Sequence, residues 1–219
     1  MEHQQNLFTH EKFVNLIMRL RAKGVNDSEL FSALEKTPRS RFVDNQWRDL
    51  VYKDTVLPIE CGEYIERIDE QLIIISALEL EQKHRVLEIG TGSGFTAALM
   101  ARLSGRVTTV ERYKTLYDAA RAHFQTLKLD NISSRQMDGN RLAANLGPFD
   151  RIVIWPSQEG EPQKFIELLS GNGILIAPIG PAEGEQTVVK YNKVGTRFER
   201  MDMMRVRYQP FIDNVAMFL

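Results

Sequence analysis

The stretch "VLEIGTGSGF" at 86–95 decides the fold. A short apolar run leads into three glycines at alternate positions, Gly90, Gly92 and Gly94, and "TAALMARL" follows with helical spacing. A strand, a glycine turn and a helix in that order open a nucleotide-binding α/β sheet, in which the ligand lies beyond the carboxyl ends of the strands at the switch point. The spacing is G-x-G-x-G. It departs from the dinucleotide fingerprint, because Phe95 takes the place of the third glycine, and a P-loop is excluded because its Gly-Lys-Ser/Thr is missing.

Carboxylates narrow the choice of ligand. Glu88 lies at the end of the first strand, and Glu111 ends the next one, "RVTTVE". A carboxylate at the second place accepts both ribose hydroxyls of a nucleoside. At the first place it would repel a pyrophosphate and attract an ammonium or sulfonium group. Asp138, which ends the third strand in "RQMDG", is the expected partner of an adenine amino group. With Thr91, Ser93, Arg112 and Gly139 beside them, these residues are expected to bind S-adenosyl-L-methionine (SAM), a nucleoside with a cationic amino-acid tail. No metal is expected, since His3, His10, His84 and His123 are scattered without ligand spacing.

Outward from the glycine turn, strand and helix patterns alternate from residue 73 onward. They predict a Rossmann-like α/β fold with a mixed, mostly parallel sheet of about seven strands, closed by an antiparallel hairpin around Gly195. "QKFIELLS" at 163–170 reads as one of the helices. Upstream, Phe13, Leu16, Ile17 and Leu20 recur at helical spacing and Gly24 is placed to stop that helix. A second helix is predicted from the capping-box spacing of Asn26 and Glu29, with Leu30, Phe31 and Leu34 on one stripe and Pro38 beyond its end. Residues 39–71 have little periodicity and read as a long ordered loop on the surface or over a cleft. The expected division is 1–72, a helical cap and substrate loop, and 73–219, the SAM-binding core with its hairpin.

Composition excludes several classes. The chain has 219 residues, 43% hydrophobic and 26% charged, as befits a globular protein. Lys and Arg number 28 against 29 Asp and Glu, a balance that disfavours nucleic acid as the main partner. Cys61 stands alone, which excludes an internal disulfide and fits a reducing compartment. The start lacks a signal-peptide pattern, and no apolar run approaches the ~18 residues of a membrane span, so a cytoplasmic protein is expected.

With these residues assembled, the chain resembles the protein-L-isoaspartate O-methyltransferase family over nearly its whole length. The likeness is carried by "LRAKGVNDSELFSALEKTPRSRFV", "LPIECGEYI", "RVLEIGTGSGF", "VTTVER", "DNISSRQMDG", "FDRIVI", "GILIAPIG" and "VRYQPF". The glycine loop is common to many methyltransferases, whereas "TPRSRFV" followed by "LPI" is specific to this family. The resemblance implies a SAM-dependent O-methyltransferase that methylates isoaspartyl carboxylates of damaged proteins in a repair reaction, with a peptide or protein as substrate. Oligomeric state is left open.

The pattern breaks at the substrate loop. After the glycine matching Gly62, the family usually carries Thr-Ile-Ser and then, one residue on, Pro, with the serine associated with catalysis. Here Tyr64 stands for the threonine, Glu66 for the serine and Ile68 for the proline, so Tyr64 and Glu66 become the candidate catalytic residues. Trp155, Pro156 and Ser157 also replace small residues after the fourth strand. Two carboxylates a few ångströms apart repel unless one is protonated. Two further readings therefore stay open: a methyltransferase of this ancestry with another acceptor, and a SAM-binding protein without turnover.

Overall fold

The structure, a computed structural model, describes residues 2–142, 146–195 and 197–216, with side chains from His10 onward. The chain begins with α1 (Glu2–Ala22) and α2 (Ser28–Glu35). Leu16 and Leu20, one turn apart, are fully buried. Gly24 takes φ +90°, and the Val25 N–H returns to the Leu20 carbonyl at 3.0 Å, as a glycine C-cap requires. The cap of α2 lies one residue later than expected. Asp27, not Asn26, receives the Leu30 N–H at 2.9 Å, because both residue types cap well and spacing does not choose between neighbours.

Residues 39–71 hold more structure than a loop. Tight 3-10 turns form at Arg39–Arg41 and Asn45–Leu50, and β1 (Leu57–Pro58) pairs antiparallel with β2 (Tyr64–Ile65). Tyr52 is buried edge-on against Phe13, with ring centroids 5.8 Å apart, and so fixes this segment. Then α3 (Ile68–Ala77) starts inside the expected loop and runs across the expected 72/73 boundary. Ile68, Leu72 and Ile75, at helical spacing, are its buried face. Buried Asp69 in its first turn receives Arg19 Nη2 at 2.8 Å and Lys23 Nζ at 2.7 Å, which ties α3 to α1.

The rest alternates as the pattern predicts: β3 (Arg85–Ile89), α4 (Phe95–Leu103), β4 (Arg106–Glu111), α5 (Lys114–Thr126), β5 (Ile132–Gln136), β6 (Phe149–Ile154), α6 (Gln163–Ile166), β7 (Leu169–Ile179), β8 (Gln186–Val194) and β9 (Arg197–Val206). One seven-stranded sheet runs in the order β5-β4-β3-β6-β7-β8-β9. Pairing is parallel from β5 to β7 and antiparallel for β8 and β9, the expected hairpin. The helix predicted over 163–170 is cut short, because Leu169 and Ser170 already belong to β7. Since β3 pairs with both β4 and β6, the chain reverses direction across the sheet there, and that is the switch point.

The pleat sets which residues share a face. Val86, Val107 and Val153 pack with α1 to α4 on one side, whereas Leu87, Ile89, Val110, Ile152 and Ile154 pack with Phe165 and Ile166 of α6 on the other. The same alternation sends Glu88, Thr109, Glu111 and Trp155 to the side of Val86.

Candidate active site

A cleft of about 850 Å³, counted up to its open mouth, lies at the carboxyl ends of β3, β4 and β6. The glycine turn and Glu111 form one wall, Tyr64 and Glu66 another, and Gln209 to Ile212 of the C-terminal segment cover it.

Gly90 and Gly92 take φ of +89° and +52°, and the N–H groups of Gly90 and Thr91 both return to the Val110 carbonyl, at 2.9 and 3.2 Å. This curls the backbone back onto β4. The Glu111 carboxylate then fastens the turn: Oε2 accepts from the Gly92 N–H at 2.9 Å and Oε1 from the Tyr113 N–H at 3.0 Å. Burial pushes its pKa up, while backbone donors, Tyr113 first, act against that. Each oxygen keeps a lone pair for a further donor in the cleft, which suits a ribose diol. Ser93 also lines the cleft, and its buried Oγ has no protein partner. At Gly139 a Cβ would lie 2.9 Å from Ile89 Cγ2 and 3.0 Å from Phe211 Cζ, so only glycine leaves this slot its width. Arg112 lines the cleft while its Nε donates to the Asn214 carbonyl at 3.1 Å.

Three expected ligand contacts are replaced by internal ones. Glu88 is fully buried and absent from the cleft lining. It accepts from Thr96 Oγ1 at 2.5 Å, Thr109 Oγ1 at 2.6 Å and Trp155 Nε1 at 3.0 Å. Burial raises its pKa to about 7, against those three donors. It holds β3, β4, α4 and the Trp155 indole together rather than facing a sulfonium. Thr91, by contrast, lines the cleft with its hydroxyl committed to Thr109, 2.6 Å away. Asp138 is likewise buried and off the cleft, with Oδ1 taken by the Asn140 N–H and Oδ2 by the Asn214 N–H, both at 2.8 Å. Gly94 caps α4 at φ +86°, where a Cβ would lie 2.9 Å from both the Ala120 side chain and the Phe124 ring. Its smallness serves packing of the turn on α5.

The substrate loop does converge on the cleft. Tyr64 and Glu66 both line it. The Tyr64 hydroxyl donates to the Arg207 carbonyl at 3.1 Å, and burial raises its pKa to about 12, so it stays protonated. Glu66 accepts from Gln71 Nε2 at 3.1 Å, and burial raises its pKa to about 7. Behind it lies Arg39, fully buried, which donates Nη2 to the Glu66 carbonyl at 2.6 Å and Nη1 to the Val51 carbonyl at 2.9 Å. Trp155 and Pro156 line the cleft beside Gly90, whereas buried Ser157 pairs through its backbone with Gln209 and Phe211.

Sequence reasoning missed the residues that complete this site. Arg39 and Gln71 are single polar residues in segments read for other reasons, and only their burial singles them out. The C-terminal strap is tied across the strand ends: the Ser157 N–H donates to the Gln209 carbonyl at 2.8 Å, the Phe211 N–H to the Ser157 carbonyl at 2.9 Å and the Ala216 N–H to the Arg112 carbonyl at 3.2 Å. Among the described residues no cluster of His, Cys, Asp and Glu forms a metal site.

Comparison with known proteins agrees with this geometry. The profile of the family described as Protein-L-isoaspartate(D-aspartate) O-methyltransferase (PCMT) matches residues 11–216. The protein-L-isoaspartate O-methyltransferase of Rhizobium meliloti (strain 1021) is 39% identical over 204 residues, covering 93% of this chain and 100% of that protein. Its counterpart in Bradyrhizobium sp. (strain ORS 278) is 41% identical over 197 residues, covering 90% and 92%. A Plasmodium falciparum structure described as a beta-aspartate methyltransferase (PCMT) in complex with S-adenosyl-L-homocysteine shares the fold, with a TM-score of 0.79 at 22% identity over 91% of this chain and 98% of that one. With the profile running almost end to end and the relatives matched over nearly their full lengths, this chain belongs to the protein-L-isoaspartate(D-aspartate) O-methyltransferase family.

Proposed function

We propose that this cleft binds SAM and that the chain methylates the side-chain carboxylate of isoaspartyl residues in damaged proteins. The observation that carries the reading is the Glu111 carboxylate, buried at the end of β4, pinned by the Gly92 and Tyr113 N–H groups and open to the cleft. The residues present fit the cofactor. Glu111 suits the ribose hydroxyls, the orphaned Ser93 Oγ offers a further polar contact, and the slot beside Gly139 suits a flat base. The first residues of α4, Phe95 and Thr96, line the cleft, so this helix N-terminus suits the carboxylate of the amino-acid tail. When bound, SAM supplies an electrophilic methyl group on a sulfonium.

A carboxylate acceptor is already ionised near neutral pH, and the chain need not remove a proton from it. Its task is to aim one oxygen and exclude water, which the Tyr64 to Glu66 loop and the strap over the cleft are placed to do. The lone free thiol, Cys61, suits a reducing, cytoplasmic setting. The test is the chemistry of the product. Label moved from methyl-labelled SAM onto aged protein should be released as methanol in mild base, as an ester requires. Label that resists base would mean an N-methyl or ether product and a different acceptor.

A further inference from the structure

Glu66 is a carboxyl in the cleft wall, and the guanidinium near it, Arg39, bonds its backbone carbonyl and not its carboxyl. Among the described residues no Lys, Arg or His forms an ion pair with its carboxyl. Its donors are neutral: the Gln71 side-chain amide at 3.1 Å and its own backbone N–H. Arg39, the nearby guanidinium, donates Nη1 and Nη2 to the carbonyls of Val51 and of Glu66 itself, and its buried Nε has no protein partner. We propose that Glu66 grips the substrate's side-chain carboxylate as a neutral carboxylic acid, donating a hydrogen bond from its own O–H. This rests on the isoaspartyl reading above.

The charges and titratable groups around Glu66 can be named. Arg39 from the 3-10 turn favours the ionised form, Glu70 from α3 opposes it, and Tyr64 from β2 and Tyr208 from the C-terminal segment are phenols whose pKa values are raised by burial first and by Glu66 among other carboxylates. Burial outweighs Arg39 and the Gln71 hydrogen bond and holds the carboxyl at about 7. Near neutral pH a large share of the protein therefore carries the proton. An arriving carboxylate would repel an ionised Glu66, but it meets a protonated one as a short, charge-assisted O–H···O⁻ bond. That bond points one acceptor oxygen and leaves the other for the methyl group. Gln71 Oε1, buried in the same wall without a protein partner, adds an acceptor for a substrate N–H. Glu66 thus reads the negative charge of the acceptor instead of rejecting it.

The test is kcat/KM for methyl transfer to an isoaspartyl peptide blocked at both termini, from about pH 5.5 to about pH 9, for the wild type and Glu66→Gln. S-adenosylhomocysteine affinity is measured across the same range to remove any effect on the cofactor. The wild type should lose roughly tenfold per pH unit above about 7, and Glu66→Gln, whose amide donates at every pH, should be flat there. Glu66→Ala should fall by roughly ten- to a hundredfold at low pH, the worth of a hydrogen bond to a charged group. A wild-type profile flat to high pH overturns the proposal without any variant, and so does the same decline in Glu66→Gln. Cofactor binding with no transfer to the isoaspartyl peptide at any pH would instead remove the functional reading on which it rests.

Discussion

At the scale of single residues, two carboxylates at successive strand ends meet opposite fates. Glu111 faces the cleft and Glu88 is consumed by Thr96, Thr109 and Trp155. The sequence places both at strand ends and on one side of the sheet, since the pleat alternates. It does not reveal that three donors from β4, α4 and the residue after β6 close over Glu88, because those contacts join distant segments. Burial raises the Glu88 pKa from an ordinary 4.5 to about 7, which makes it a pH-dependent element of stability. Its contribution is complete below about 4.5 and is lost as pH rises through about 7, since folding then holds a charge it would rather leave in water. That difference amounts to about 3 kcal/mol. Urea unfolding at mildly acidic and mildly alkaline pH should therefore show stability falling with pH in the wild type and a shallower fall in Glu88→Gln. Equal slopes would mean that Glu88 stays ionised in the fold. Asp69 works in the opposite sense. Burial alone would push its carboxyl up, but hydrogen bonds from Arg19 and then Lys23 outweigh it and hold the pKa below the usual range, so its support is lost only on acidification.

At the scale of elements, the glycine turn works as a joint between β3, α4 and α5. Gly90 and Gly92 curl the backbone, whereas Gly94 lets it touch α5, and these roles look alike in the string G-T-G-S-G. Gly94→Ala should cost roughly 2 to 5 kcal/mol, from the left-handed backbone strain and the forced contacts with Ala120 and Phe124. Thermal unfolding measures it, and a variant as stable as the wild type would show that α5 can move aside. Strands β3 to β9 were legible from alternation and glycine punctuation. Helix α3 was not, because its apolar positions follow a charged run, "ERIDEQ", whose Asp69 turns inward only because Arg19 and Lys23 of the first helical segment receive it. The strap was not legible either. Its backbone bonds to Arg112 and Ser157 and the Asn214 N–H on Asp138 depend on the sheet being already formed.

At the scale of the whole molecule, the switch point of the sheet brings together three stretches far apart in the chain. The glycine turn with Glu111 supplies the proposed nucleoside site, the β2 to α3 connection supplies Tyr64 and Glu66, and the strap from 209 to 212 covers both. The alternating strands and the glycine turn follow from local motifs, and so were readable, whereas the strand order and the inward turn of Glu88 and Asp138 depend on the folded sheet. The acceptor side depends on the environment of Glu66, which in sequence looks like part of a solvated charged loop. Half-buried beside Gln71 and Arg39, Glu66 can meet a second carboxylate only if one of the two keeps its proton, as proposed above. Isoaspartyl specificity is tested by transfer of labelled methyl from SAM to an L-isoaspartyl peptide beside its normal aspartyl twin, at slightly acidic pH. Label is expected on the isoaspartyl peptide and none above background on the twin. Equal labelling of both, or of neither on a preparation that binds S-adenosylhomocysteine, would contradict that specificity.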